Sequence, residues 1–121
     1  MKKSKFLTIM ASLVFIFTFS TTSFAAFESS VEGPISALST ETPYIYLDKG
    51  NTLHIYVRNN TSSKNSIGFK VVDNLGQTVS SGTVAPGKYV AYPKGAPEGY
   101  YKLVYTVSGN DTGYGRLNDS P

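Results

Sequence analysis

The sequence predicts an all-β domain, a small antiparallel β-sandwich or small barrel, preceded by a cleaved signal peptide. Three observations carry that reading. Apolar residues recur at every second position through most of residues 44–117. Clusters of Gly, Pro, Asn and Ser interrupt these runs at spacings of about ten residues, as in all-β sandwiches and barrels. No stretch after residue 26 offers a helical period of useful length.

The chain opens with Lys2, Lys3 and Lys5, an apolar run from Phe6 to Phe19, and the small-residue segment Ser23-Phe24-Ala25-Ala26. A basic head, an apolar middle and a small-residue exit define a secretory signal. The apolar run is 14 residues long and is broken by Thr8, Ser12 and Thr18, whereas a spanning helix needs about 20. Residues 1–25 are therefore expected to be removed, with cleavage after Ala25 favoured over cleavage after Ala26. No cysteine follows for lipid attachment, and Asn118-Asp119-Ser120-Pro121 carries no hydrophobic or sorting motif. The expected location is secreted, extracellular or cell-wall associated, and the Lys-rich head with no cysteine suits a Gram-positive bacterium.

Residues 26–43 read as a polar extended arm able to donate a short edge strand, punctuated by Gly33-Pro34 and with one apolar patch at Ile35 to Leu38. Residues 44–121 read as the sandwich. Tyr44 to Leu47 alternates, Asp48-Lys49-Gly50-Asn51 turns, and Thr52 to Arg58 alternates again. Leu53, Ile55 and Val57 share one face of that strand, and His54, Tyr56 and Arg58 share the other. Asn59 to Asn65 is loop text. Ile67, Phe69 and Val71 share one face of a third strand, which ends at Asp73-Asn74-Leu75-Gly76, where Gly76 can take the positive φ of a hairpin bulge. Thr78 to Val84 returns, Ala85-Pro86-Gly87 turns, and Lys88 to Tyr92 is a short strand before a Pro/Gly-rich connection at Pro93 to Gly99. The strongest strand follows, with Tyr101, Leu103, Tyr105 and Val107 on one face. A turn at Ser108 to Gly113 leads to the last strand, Tyr114 to Leu117. The segment Val84 to Val107, a Pro-Gly turn, a short strand and then Pro97-Glu98-Gly99-Tyr100-Tyr101 opening a long one, resembles the late strands of an immunoglobulin or fibronectin-like sandwich.

Charge and composition exclude several functions. The formal charge of +3 resides in the three leader lysines, so the mature chain balances eight basic against eight acidic residues. Without a basic stripe, nucleic-acid binding is not expected. Disulfides and thiolate metal sites are ruled out by the absence of cysteine. His54, the only histidine, lies between Leu53 and Ile55 on a strand, and no Gly-x-Ser-x-Gly elbow accompanies it. The turns Asn110-Asp111-Thr112-Gly113 and Asp73-Asn74 present oxygens but lack the spaced acids of a calcium loop. A non-enzyme without cofactor or metal is expected.

Tyrosine is the residue type with more to offer. All nine tyrosines lie beyond the leader. If Ile45, Leu53, Ile55 and Val57 face the core, then Tyr44, Tyr46, His54, Tyr56, Arg58 and Tyr100 face outward and form the candidate binding face. Tyrosine supplies rigid contact area with a polar tip. The functional expectation is a small exported binding protein of the extracellular space or cell envelope, with a glycan or protein partner and no membrane anchor after cleavage. Two alternatives stand beside it. One is a secreted antimicrobial protein or an inhibitor of an extracellular enzyme, presenting the Asn59 to Asn65 or Pro93 to Gly99 loop. The other is a structural protein of the surface that self-assembles when its polar N-terminal arm pairs with the sheet edge of a neighbouring copy.

Overall fold

The computed structural model describes residues 29–121, so the expected signal peptide lies outside the described residues. Eight strands form: β1 (Ser30–Ile35), β2 (Ile45–Leu47), β3 (Thr52–Asn59), β4 (Ile67–Asp73), β5 (Thr78–Val84), β6 (Tyr89–Gly95), β7 (Gly99–Thr106) and β8 (Gly113–Ser120). They make two four-stranded antiparallel sheets, ordered β1-β8-β3-β6 and β2-β7-β4-β5. Among the described residues no helix is long and apolar enough to cross a membrane.

The core lies between the two sheets and is built from the inward half of each alternation. Ile45 and Leu47, Leu53, Ile55 and Val57, Ile67, Phe69 and Val71, and Tyr101, Leu103 and Tyr105 are all buried there, on the faces that period-two patterning assigns to them. Ile35 and Leu117 complete it from the paired first and last strands. With no disulfide in the chain, this packing and the ladder hydrogen bonds hold the domain together.

Local turn chemistry behaves as expected. Asn51 N donates to Asp48 O at 3.0 Å, and Lys88 N donates to Ala85 O at 3.0 Å. Between β4 and β5, Asp73 Oδ1 accepts the backbone N–H groups of Leu75 and Gln77, both at 2.9 Å. Gly76 sits at φ 81° in that turn, a conformation that costs glycine little.

The wiring is finer-grained than the resemblance implies. Only β4 and β5 are consecutive strands of one sheet; every other connection passes from one sheet to the other. That order is a double Greek key of the jelly-roll type, in contrast to the ABED/CFG order of an immunoglobulin domain.

The N-terminal arm contributes an edge strand, Ser30–Ile35, beyond which Leu38 is 97% exposed in a turn. Two segments differ from the sequence reading, each for a physical reason. β6 runs through Pro93 to Gly95, so the expected Pro93 to Gly99 connection shrinks to residues 96–98. Proline is tolerated there because β6 is a sheet edge, where a missing N–H need not break a ladder bond. β8 is eight residues long instead of the four from Tyr114 to Leu117. Gly113, read as part of the preceding turn, and Gly115 are inward residues of this strand. A Cβ on Gly115 would lie 1.9 Å from Tyr105 Oη and 2.8 Å from Cζ, so a core aromatic occupies the space that a side chain would need.

Candidate functional site: two aromatic faces

The six predicted outward residues do face outward, but they are divided between opposite sides of the sandwich. Tyr44, Tyr46 and Tyr100 belong to the β2–β7 sheet; His54, Tyr56 and Arg58 belong to β3 of the other sheet. Period-two patterning selects a face of a strand and cannot say which sheet that strand joins.

On the β2–β7 side, Tyr46 stands opposite Tyr100, with ring centroids 5.0 Å apart, and Tyr44 meets Tyr100 edge-on at 6.5 Å. The polar atoms of this cluster are paired. Tyr46 OH donates to Glu98 Oε2 at 3.0 Å, and that hydrogen bond, with some desolvation, raises the phenol above its usual range. Lys102 Nζ lies 4.8 Å from the Tyr44 ring centroid and forms an ion pair with Glu41. The Glu41 contact raises the Lys102 pKa, keeping the pair charged.

The opposite face is organised by cross-strand register. Tyr56 sits between Ala91 and Arg116, and Arg58 between Tyr89 and Tyr114. The Arg116 guanidinium lies 5.1 Å from the Tyr56 ring centroid, and that of Arg58 lies 5.3 Å from the Tyr114 ring. Tyr56 also approaches Tyr89 at 5.7 Å and Tyr114 at 6.2 Å, within the range of favourable aromatic pairs. The Tyr114 phenol is raised, first by its hydrogen bond with Glu32. Glu32 stands opposite Arg116 across the β1–β8 ladder. Among the described residues neither Arg58 nor Arg116 is in an ion pair. Beside this cluster a shallow concavity of about 250 Å³ is bordered by His54, Tyr56, Ala91, Pro93, Arg116 and Asn118. His54 Nε2 is shielded there without a hydrogen-bond partner.

No protein-family model and no curated protein matches this chain. Among the solved chains similar in fold is a protein described under "Bacillus endospore appendages form a novel family of disulfide-linked pili", with 15% identity and a TM-score of 0.51 over 76% of this chain and 83% of that one. At that identity the likeness is one of fold.

Tyr89, Tyr114 and Arg116 are the members of this face that sequence reasoning missed. Tyr114, Arg116 and Asn118 alternate with Gly113, Gly115 and Leu117, and the two glycines hide that period. Other predicted features are structural. Asp111, in the turn considered for calcium, accepts Lys64 N at 2.8 Å and Asn65 N at 2.9 Å. The Lys64 backbone bond is the foremost cause of its lowered pKa. Ser63 Oγ donates to Thr112 O at 2.9 Å, and Asn60 Nδ2 donates to Thr112 Oγ1 at 2.8 Å. The Asn59 to Asn65 loop is thus tied down to the β7–β8 turn. Asp119, fully buried, accepts Asn51 Nδ2 at 2.8 Å, and its charge is a secondary cause, after desolvation, of the raised Asp48 pKa. Among the described residues no group of three or more His, Asp or Glu is placed to hold a metal.

Proposed function

We propose that this chain is a structural protein of the cell surface that associates with copies of itself by pairing at an exposed sheet edge. The observation that carries this reading is β5. Its sequence, Thr-Val-Ser-Ser-Gly-Thr-Val, has no charge and no proline, and among the described residues nothing pairs with its outer side. Soluble sheets usually guard such an edge with charge, proline or brevity. The other three edges are guarded in that way: β1 carries Glu32 and Pro34, β6 carries Pro93 and Lys94, and β2 has three residues. β5 has one register shift against β4, at Val79, and runs regularly from Ser80 to Val84.

The opposite side of the sandwich ends in β1 and β2. Because β1 and β2 are guarded, β5 pairs with β5 of a second copy in an isologous contact, and growth beyond that pair needs a second, heterologous contact, which builds open filaments unless it closes into a ring. Support for a surface role comes from the expected signal sequence and from the likeness in fold to a protein described among disulfide-linked pili of Bacillus endospore appendages. The disulfide linkage of those pili has no counterpart here, because this chain has no cysteine. Any assembly must rest on backbone pairing and side-chain packing.

The test is the sedimentation behaviour of residues 26–121 across a concentration series, with electron microscopy of the heaviest species. Ser81→Lys and Thr83→Lys place charge on exposed positions of β5. The wild type is expected to form concentration-dependent oligomers, and both variants to remain monomeric with an unchanged melting midpoint. A monomeric wild type, or variants that assemble equally well, would overturn the reading.

A further inference from the structure

The β3–β8 face calls for a ligand that the β5 edge does not explain. Two arginines project from adjacent strands at a place where ion pairing within the chain is absent among the described residues. Each guanidinium is laid against a tyrosine, Arg116 on Tyr56 and Arg58 on Tyr114. That contact holds the cation in place without using up its N–H donors, which stay directed to the surface. Arg58 and Arg116 are both exposed, and Tyr89 beside them is 64% exposed.

The chemistry differs on the other face, where Lys102 is neutralised by Glu41 and Tyr46 is engaged by Glu98. Of the two aromatic clusters, only this one combines exposed rings with unpaired positive charge. Glu32, the acidic neighbour across the ladder, forms no ion pair with Arg116.

From this charge complementarity we infer that the face formed by Tyr56, Arg58, Tyr89, Tyr114 and Arg116 binds an acidic polysaccharide whose sugar rings carry carboxylates. The planar guanidinium matches a carboxylate with two parallel N–H···O bonds. The tyrosine rings supply flat amphipathic area, with an apolar body and a hydroxyl tip, for the ring faces and hydroxyls between those carboxylates. A regular polymer suits a site built from cross-strand rows, because one chain can span Arg116 and Arg58 together. The face runs across three neighbouring strands, β6, β3 and β8.

The experiment titrates residues 26–121 with polygalacturonate oligosaccharides by calorimetry. Neutral dextran, polyglutamate and a dT oligonucleotide serve as alternative ligands, and Arg58→Gln, Arg116→Gln and Tyr89→Ser as variants. Lys102→Gln on the far face is the control. Polygalacturonate is expected to bind, and more weakly as salt is raised. Each arginine change should lower affinity by about tenfold or more, as truncation of an interface anchor does. Lys102→Gln should leave binding unchanged, and melting midpoints should stay close to wild type because all these positions are surface ones. No binding of polygalacturonate, or equal affinity for dextran, would overturn the inference. So would an affinity that ignores both arginine changes. Equal binding of polyglutamate or the oligonucleotide would show a general anion surface in place of a sugar site. Loss of self-association in the arginine variants, without sugar binding in the wild type, would assign the face to a second copy. The β5 lysine variants test assembly separately, so the two readings can fail independently.

Discussion

Gly115→Ala should destabilise this domain out of proportion to the single methyl group it adds. Gly115 lies on β8 between Gly33 and Val57 and faces the core. Its new Cβ would sit 1.9 Å from Tyr105 Oη, 2.8 Å from Cζ and 3.2 Å from Cε1. Carbon contacts are favourable near about 3.5–4.0 Å, so the ring or the strand must move by more than an ångström. Tyr105 is only 6% exposed, and there is little space for it to retreat into. Overpacking of this kind costs about 1–3 kcal/mol and occasionally more. The value here should lie at or above the upper end, since the closest atom belongs to a rigid ring wedged between sheets.

Tyr105→Phe gives the companion measurement. The Tyr105 hydroxyl is buried without a hydrogen-bond partner, and burial alone raises its pKa. Removing an unsatisfied buried polar group recovers part of a desolvation penalty of about 1–3 kcal/mol. The single variant is therefore expected to be neutral to stabilising. In the Gly115→Ala background it also removes the closest atom of the clash and should restore at least about 1 kcal/mol beyond its own effect. Urea unfolding of the four proteins yields this coupling directly. Additive effects, or a Gly115→Ala cost below about 1 kcal/mol, would refute the packing argument.

Two further predictions concern faces and charge. Leu103→Ala removes a fully buried side chain from β7 and should cost about 2–5 kcal/mol, whereas Lys102→Ala should stay within about 0.5 kcal/mol, since its ion pair with Glu41 is solvent-exposed; equal costs by denaturant titration would show that the strand faces are reversed. Asp111 has a lowered pKa in the folded state, so it adds stability that is fully present above the unfolded carboxylate value of about 3.9 and is lost as pH falls through the depressed folded value. Asp111→Asn should accordingly melt below wild type at neutral pH, with the gap closing in acid, and a gap independent of pH would contradict the assignment.

Much of this protein is written locally in its sequence. Leu53, Ile55 and Val57 on one side of a strand, with His54, Tyr56 and Arg58 on the other, need only the two-residue repeat of an extended chain to be sorted correctly. Asp73, Leu75, Gly76 and Gln77 form their turn from contacts within five residues of one another. The all-β class and the identity of the core faces follow from such short-range chemistry. Partnership between strands does not. Tyr46 and Tyr56 look alike in sequence, each outward between apolar neighbours. Tyr46 joins β7 beside Tyr100, and Tyr56 joins β8 beside Arg116. The two tyrosines therefore end on opposite sides of the molecule. Which strand lies beside which depends on how two sheets close over one apolar interior, a decision that involves residues such as Ile35 and Leu117, 82 positions apart. The same long-range closure explains why Gly113 behaves as a strand residue and why Asp119, unremarkable in a polar tail, becomes a buried acceptor for Asn51. Among the described residues it also leaves β5 as a bare edge and the two arginines without ion-pair partners, because both conditions are set by the neighbours that a segment acquires, or fails to acquire, only in the folded chain.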